Sequence, residues 1–125
     1  MKRDVDLVRR ILLALEQREP GDVSPVAATE VGAGEDVLLA HLDLLQEAGL
    51  IDGNPVQSAR DGAKRTVAWN TMRLTWAGHD FIAAAMNDTV WNAAKRHAGE
   101  LFKSLSLPTL SALLQLMVRS HIPGL

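Results

Sequence analysis

Four histidines, His41, His79, His97 and His121, are the side chains of this sequence best suited to acid–base or metal chemistry. They fall on different predicted elements. None stands in an HxxxH pair or near a cysteine, so the ligand spacing of a zinc site is missing. His79 and Asp80 are adjacent, and adjacent helical residues do not face each other. His41 lies between leucines and is expected at the edge of a core, while His79 is expected to be held by local packing or a hydrogen bond. The chain has no cysteine, no glycine-rich phosphate loop and no GxSxG elbow. Asp4 and Asp6 sit within one helical turn, where carboxylates cap or solvate the helix. With no nucleophile and base assembled, the sequence predicts a protein that is not an enzyme and that needs no cofactor and no metal.

What remains is binding chemistry, and its signal is charge segregation. The net charge is −2, but Pro20–Ser58 holds seven acids and no Lys or Arg, whereas Ala59–Thr75 holds four cations and one acid. Arg60, Lys64 and Arg65 form a dense basic cluster which, with Arg9 and Arg10 nearer the N-terminus, has the composition a phosphate contact requires. A solvated surface is the plainer expectation for the N-terminal arginines. Glu35, Asp36, Asp43 and Glu47 suit a basic protein partner instead. Trp69, Trp76 and Trp91 are expected in the core, where each ring buries a large apolar area, although a tryptophan also stacks on bases. Trp91, Leu101, Phe102 and Leu105 are candidates for a homodimer contact.

These residues have to be positioned by helices and one hairpin. Residues 2–18 read as an amphipathic helix, with Val5, Val8, Leu12 and Leu15 on one face and Asp6–Arg10 spaced for an i,i+4 pair. Glu19-Pro20-Gly21 ends it. Residues 22–33 permit either short extended pieces or one helical turn after Pro25. From Glu35 a leucine-rich helix follows, with Leu38, Leu42 and Leu45 on one face, and Gly49 is placed as its left-handed stop with Leu50 as the apolar clasp. Ile51–Val56 and Arg65–Leu74 read as strands around a polar loop, Gln57–Lys64, in which Asp61-Gly62 is the turn signal. Thr75 caps a helix over Trp76–Met86. Asp88 is expected to cap another from Thr89 to about Ser104, weakened by Gly99. Ser106 caps a last helix with Leu110, Leu113, Leu114 and Met117 as its stripe, and the tail HIPGL is expected to be loose.

Three segments, MKRDVDLVRRILLALE, AHLDLLQEAGLIDG and LTWAGHDFIAAAMNDTVW, together resemble a family of short bacterial and prophage proteins grouped as one domain of unknown function with a winged-helix-like core. The resemblance covers most of residues 1–92, with LTWAGHDF and NDTVW its most specific parts, and is loose beyond residue 93. It implies a fold and a mobile-element setting, and no catalytic or ligand residues transfer with it. Leu74-Thr75-x-x-Gly78 also resembles the Leu-Thr-x-x-Gly that follows the wing in many winged-helix regulators.

The expected fold is mainly α (α+β): a winged helix-turn-helix-like core with a β-hairpin wing over residues 1–86, and a C-terminal helical extension, 87–125, packed on the same domain. At 125 residues such a chain buries about two-thirds of its unfolded surface. No apolar run spans a bilayer, and the N-terminus does not read as a signal peptide, so a cytoplasmic location is expected. The expected function is non-catalytic binding: DNA association through the basic wing, or, alternatively, protein interaction through the acidic central helix or the C-terminal helices. The second is favoured by electrostatics, because a recognition helix reads bases with Arg, Lys, Asn or Gln, and here it carries four carboxylates.

Overall fold

The computed structural model describes residues 2–60 and 62–120, the side chain of Arg60 excepted; Asp61, with half of the expected Asp61-Gly62 turn, and the HIPGL tail with His121 lie outside the described residues. The elements in order are α1 (Val5–Glu16), α2 (Ala28–Val31), α3 (Glu35–Glu47), β1 (Ile51–Arg60), β2 (Ala63–Leu74), α4 (Trp76–Ala85), α5 (Asp88–Ala98), a 3-10 turn (Gly99–Lys103) and α6 (Leu107–Ser120). The architecture is α+β, with an antiparallel two-stranded sheet among the helices.

Helix α1 starts where Asp4 accepts from the Asp6 and Leu7 N–H groups. It buries Val5, Leu7, Val8, Ile11, Leu12 and Leu15. The residues ambiguous in sequence resolve into both alternatives. Val23 lies in an extended segment and its carbonyl accepts from Met72 N–H of β2 at 2.9 Å, and Ala28–Val31 then forms a single helical turn. Helix α3 ends as its sequence predicts. Gly49 takes φ 76°, its N–H returns to Gln46 O and Leu50 N–H returns to Leu45 O, both at 3.0 Å.

The hairpin is longer than expected. Residues 57–60 and 63–64 pair rather than loop, with Arg60 opposite Ala63. Two register shifts account for the odd burial pattern of β2. Between Asn54 and Pro55, and again between Val56 and Gln57, β2 carries one extra residue, Asn70 and Val67 respectively. Each bulge resets the alternation, so Thr66, Trp69 and Met72, three apart, all turn inward. Pro55 is tolerated in a strand because it sits at one of these irregular positions.

The Leu-Thr-x-x-Gly segment is a junction between elements. Thr75 Oγ1 donates to Gly49 O at 2.5 Å and accepts from Gly78 N–H at 3.1 Å, while Thr75 N–H donates to Leu50 O. A Cβ on Gly78 would stand 2.0 Å from Leu50 O. One threonine thus caps α4 and ties it to the end of α3, and the glycine admits the closest backbone approach.

Farther on, Asn87 rather than Asp88 caps α5, through Val90 N–H. Gly99, at φ 58° and ψ −130°, stops the helix, so the expected helix to Ser104 divides into α5 and the 3-10 turn. Leu101 consequently leaves the apolar face and is exposed. Val90, Trp91, Ala94, Phe102, Leu107, Leu110 and Leu114 join residues of α1, α3, α4 and the hairpin in one continuous core, so the C-terminal helices share that core. No helix among the described residues is long and apolar enough to cross a membrane.

Candidate interaction surfaces

The arginines of the N-terminal segment reach the surface but also bond to the backbone of other elements. Arg9 donates from Nε to Ala85 O at 2.6 Å and from Nη2 to Met86 O at 3.1 Å, with Asp88 at 2.5 Å and the Trp91 ring 5.3 Å away. Arg10 donates to Val31 O at 3.0 Å. Arg3 donates to Lys103 O and Leu105 O, and Arg18 to Ser24 O and Pro25 O. Arg9, Arg10 and Arg3 meet carbonyls at the ends of α4, α2 and the 3-10 turn, the groups a helix leaves without internal partners. Arg9 and Arg10 are thus each bonded within the fold, Arg9 half-buried and Arg10 exposed. Asp6, expected to pair with Arg10, instead accepts from Lys95 at 2.6 Å and Trp91 Nε1 at 2.9 Å. Burial pushes the Asp6 carboxyl up, but the Lys95 and Trp91 bonds outweigh it and hold it below the ordinary aspartate range.

The histidines are dispersed. His41 is 1% exposed; Nε2 accepts from Asp4 N–H at 2.8 Å, and Nδ1 lies 2.8 Å from Val37 O. Those two partners select the neutral ring with its proton on Nδ1. His41 thus lies in the core and ties the start of α1 to α3. His79 is exposed and contacts Glu16 at 3.1 Å. Among the described residues no three metal-ligating side chains converge.

The central helix and the hairpin meet in a crevice of about 310 Å³ lined by Asp36, Leu39, Ala40, Asp43, Lys64, Arg65 and Thr66. Glu35, Asp36 and Glu47 are exposed and Asp43 is half-buried. None of the four carboxylates, nor Lys64 or Arg65, forms an ion pair among the described residues. Glu35 and Asp36 sit in the first turn, where the helix dipole favours them. Asp43 and Glu47 sit toward the opposite end, where it does not, and no cation occupies the last turn. By contrast Glu30 is fully engaged. Two Arg18 hydrogen bonds at 2.8 Å and one from Ala27 N–H at 2.9 Å bring its pKa down to about 2.

The four residues proposed for a C-terminal contact divide. Trp91 and Phe102 are each 2% exposed and pack edge-to-face at 5.1 Å, so neither ring is available to a second copy. Leu105 is half-buried and Leu101 is 65% exposed. Of the tryptophans, Trp69 is in the core as expected, but Trp76 is not: it is 85% exposed. The cause is the phase of α4. Gly78, Phe81, Ile82, Ala84 and Ala85 face inward, which leaves Trp76, His79, Asp80, Ala83 and Met86 on the outer face. With Glu16 of α1 they line a groove of about 340 Å³. The spacing of the inward residues was the available signal, muted because three of the five are Gly or Ala.

Comparison with known proteins places these features in a family. A protein of Haemophilus influenzae, titled an uncharacterized protein, is 32% identical over 118 residues, which cover 94% of this chain and 96% of the relative. No solved structure gives a significant match. The family described as "Hypothetical protein (DUF2513)" matches residues 2–106, which carries the likeness past α5 and through the 3-10 turn. The chain belongs to that family of hypothetical proteins.

Proposed function

We propose that the protein is a non-catalytic protein-interaction module that offers the outer face of α3, bordered by the hairpin, to a basic partner. The observation that carries this is the charge of α3: four carboxylates with no ion-pair partner among the described residues, one of them, Glu47, in the last turn against the helix dipole. Such charges form a ready complement for cations, raising association rate and selectivity. The order α1, α2, α3, β1, β2, with an extended segment bonded to β2, is that of a winged helix-turn-helix, and supports reading the core as one. A winged helix whose third helix is acidic, and whose second is one turn long, is poorly matched to a phosphate-lined groove. An adaptor or inhibitor of prophage type would use such a face.

DNA association through the wing is the second reading. It is favoured by Lys64 and Arg65, both exposed and free of ion pairs among the described residues. Fluorescence anisotropy at low salt separates the two, with a short arginine-rich peptide lacking apolar residues as one probe and a mixed-sequence DNA duplex as the other. The peptide is expected to bind, and Asp36→Asn with Asp43→Asn to weaken it roughly five- to tenfold, as two surface charge contacts would. A duplex that binds the parent and is released by Lys64→Ala with Arg65→Ala, while the peptide stays unbound, overturns the protein reading.

A further inference from the structure

The outer face of α4 has no part in the α3 surface and presents separate chemistry. Trp76, Asp80, Ala83 and Met86 follow one another at intervals of four, three and three, a stripe about 15 Å long at 1.5 Å per residue. Trp76 is 85% and Met86 49% exposed. An indole in water contributes nothing to the core, and tryptophan is a residue type enriched among the anchors of protein interfaces. The groove along this stripe is lined by Glu16, Trp76, His79, Asp80, Ala83 and Met86, two carboxylates and no Lys or Arg. Asp80 makes no ion pair or side-chain hydrogen bond among the described residues, and Glu16 meets His79.

We propose that this groove docks a helical segment of a partner protein that carries an arginine or lysine next to apolar residues. The cation stacks on the Trp76 face with its charge toward Asp80 and Glu16, and an apolar side chain one or two turns away covers Ala83 and Met86. A cation over an indole is attracted by the ring quadrupole, and an adjacent carboxylate adds to that attraction. The length of the stripe matches two to three turns of a partner helix, which reads such a groove with anchors three, four and seven residues apart. Beside the groove toward α6 lies a hollow of about 270 Å³ that shares Asp80 and Ala83 with it and is lined also by Ala84, Gln115, Val118 and Arg119. The partner's basic residue is placed by Trp76, the indole that lines the groove.

The test is a titration of the full chain, followed by anisotropy, with a labelled amphipathic helical peptide bearing leucine and arginine on one face. Its leucine–glutamate and serine–arginine counterparts and a single-stranded oligothymidylate are the controls. The leucine–arginine peptide is expected to bind more tightly than the serine–arginine one, and that added affinity to fall at least tenfold with Trp76→Ala and about threefold with Asp80→Asn and to be unaffected by Asp36→Asn with Asp43→Asn. Circular dichroism of Trp76→Ala should match the parent, since the ring is in solvent. Unchanged peptide affinity in Trp76→Ala, equal binding of the leucine–glutamate peptide, or Trp76-dependent capture of the oligothymidylate in place of the peptide would each overturn the proposal.

Discussion

Replacing Arg9 with alanine tests whether the N-terminal arginines hold the fold together or wait for a ligand. The guanidinium supplies donors to two carbonyls at the end of α4, at 2.6 and 3.1 Å, and its side chain is 20% exposed. Hydrogen bonds from a charged donor contribute roughly 1.5–3 kcal/mol each where water is largely excluded. Water will reach part of the emptied site, so the two together are set near the lower end, about 3 kcal/mol. The Asp88 partner is 83% exposed and contributes at most about 1 kcal/mol. The Trp91 contact at 5.3 Å contributes about 0.5 kcal/mol more. Arg9→Ala is therefore expected to cost about 3.5–4.5 kcal/mol in urea unfolding and to lower Tm by roughly 10–15 °C. Arg9→Lys should recover less than half, because one ammonium does not reproduce the planar fork. A double-mutant cycle with Asp88→Ala should give a coupling under about 1 kcal/mol, which separates the carbonyl bonds from the ion pair. Arg9→Ala within about 0.5 kcal/mol of the parent would refute the assignment.

Three further outcomes follow from the same geometry. Gly78→Ala should destabilise by more than about 2 kcal/mol, because its Cβ would meet Leu50 O at 2.0 Å and force α4 off the end of α3; thermal unfolding measures it. His41→Phe should cost about 1–3 kcal/mol by removing the acceptor of the part-buried Asp4 N–H bond from a side chain that is 1% exposed, and proton exchange at that amide should quicken with it. The acid limb of stability should depend on Glu30. Its folded pKa of about 2 lies below the ordinary value of 4.5, so its contribution is complete above that ordinary value and is lost as pH falls toward the folded one. Asp6 and Asp22, also lowered, act in the same direction below the ordinary aspartate value. Glu30→Gln should flatten the dependence of the urea midpoint on pH in that window, and an unchanged acid limb would remove the Arg18–Glu30 pair from the account.

Most of the helical frame is legible in the sequence because the relevant signals are local. The leucine spacing of α3, its Gly49 stop, Thr75 as a cap and Ser106 as another are fixed by residues within one or two turns. The hairpin was only half legible. Gln57–Lys64 is polar because both faces of the ribbon end meet water, and a solvated strand has the composition of a loop. The choice between Asn87 and Asp88 as cap was open to sequence, since either side chain suits the position. Leu101 looked like a continuation of α5 because a weak glycine in a helix and a helix-ending glycine look alike until φ is known. The outward Trp76 was hidden for a related reason: the inner face of α4 is written partly in Gly and Ala, which carry little periodic signal.

The arginines mark the boundary of what local reading reaches, and they also explain why one face is left so negative. The acceptors of Arg3 and Arg9 are carbonyls 76 to 102 residues away, invisible to any window. Arg3 and Arg9 are held by those carbonyls, away from the acidic stretch between Pro20 and Ser58, which has no Lys or Arg of its own, and Arg10 is held by Val31 O. Of the seven acids between Pro20 and Ser58, Glu30 is met by Arg18 and Asp52 by Arg73, and Asp22 is bonded to Ser24. The remaining four are Glu35, Asp36, Asp43 and Glu47, all on α3. Neutralisation inside the molecule is thus uneven: among the described residues it serves the link before α2 and the base of the hairpin and does not extend to the outer face of α3. If that face met no cation in use, nothing in the fold would set it apart, since α3 is held by Leu38, His41, Leu42 and Leu45 from the other side. Substituting Asp43 and Glu47 with glutamine should therefore raise stability slightly, by about 0.3–1 kcal/mol from the relieved dipole, while weakening capture of a basic partner.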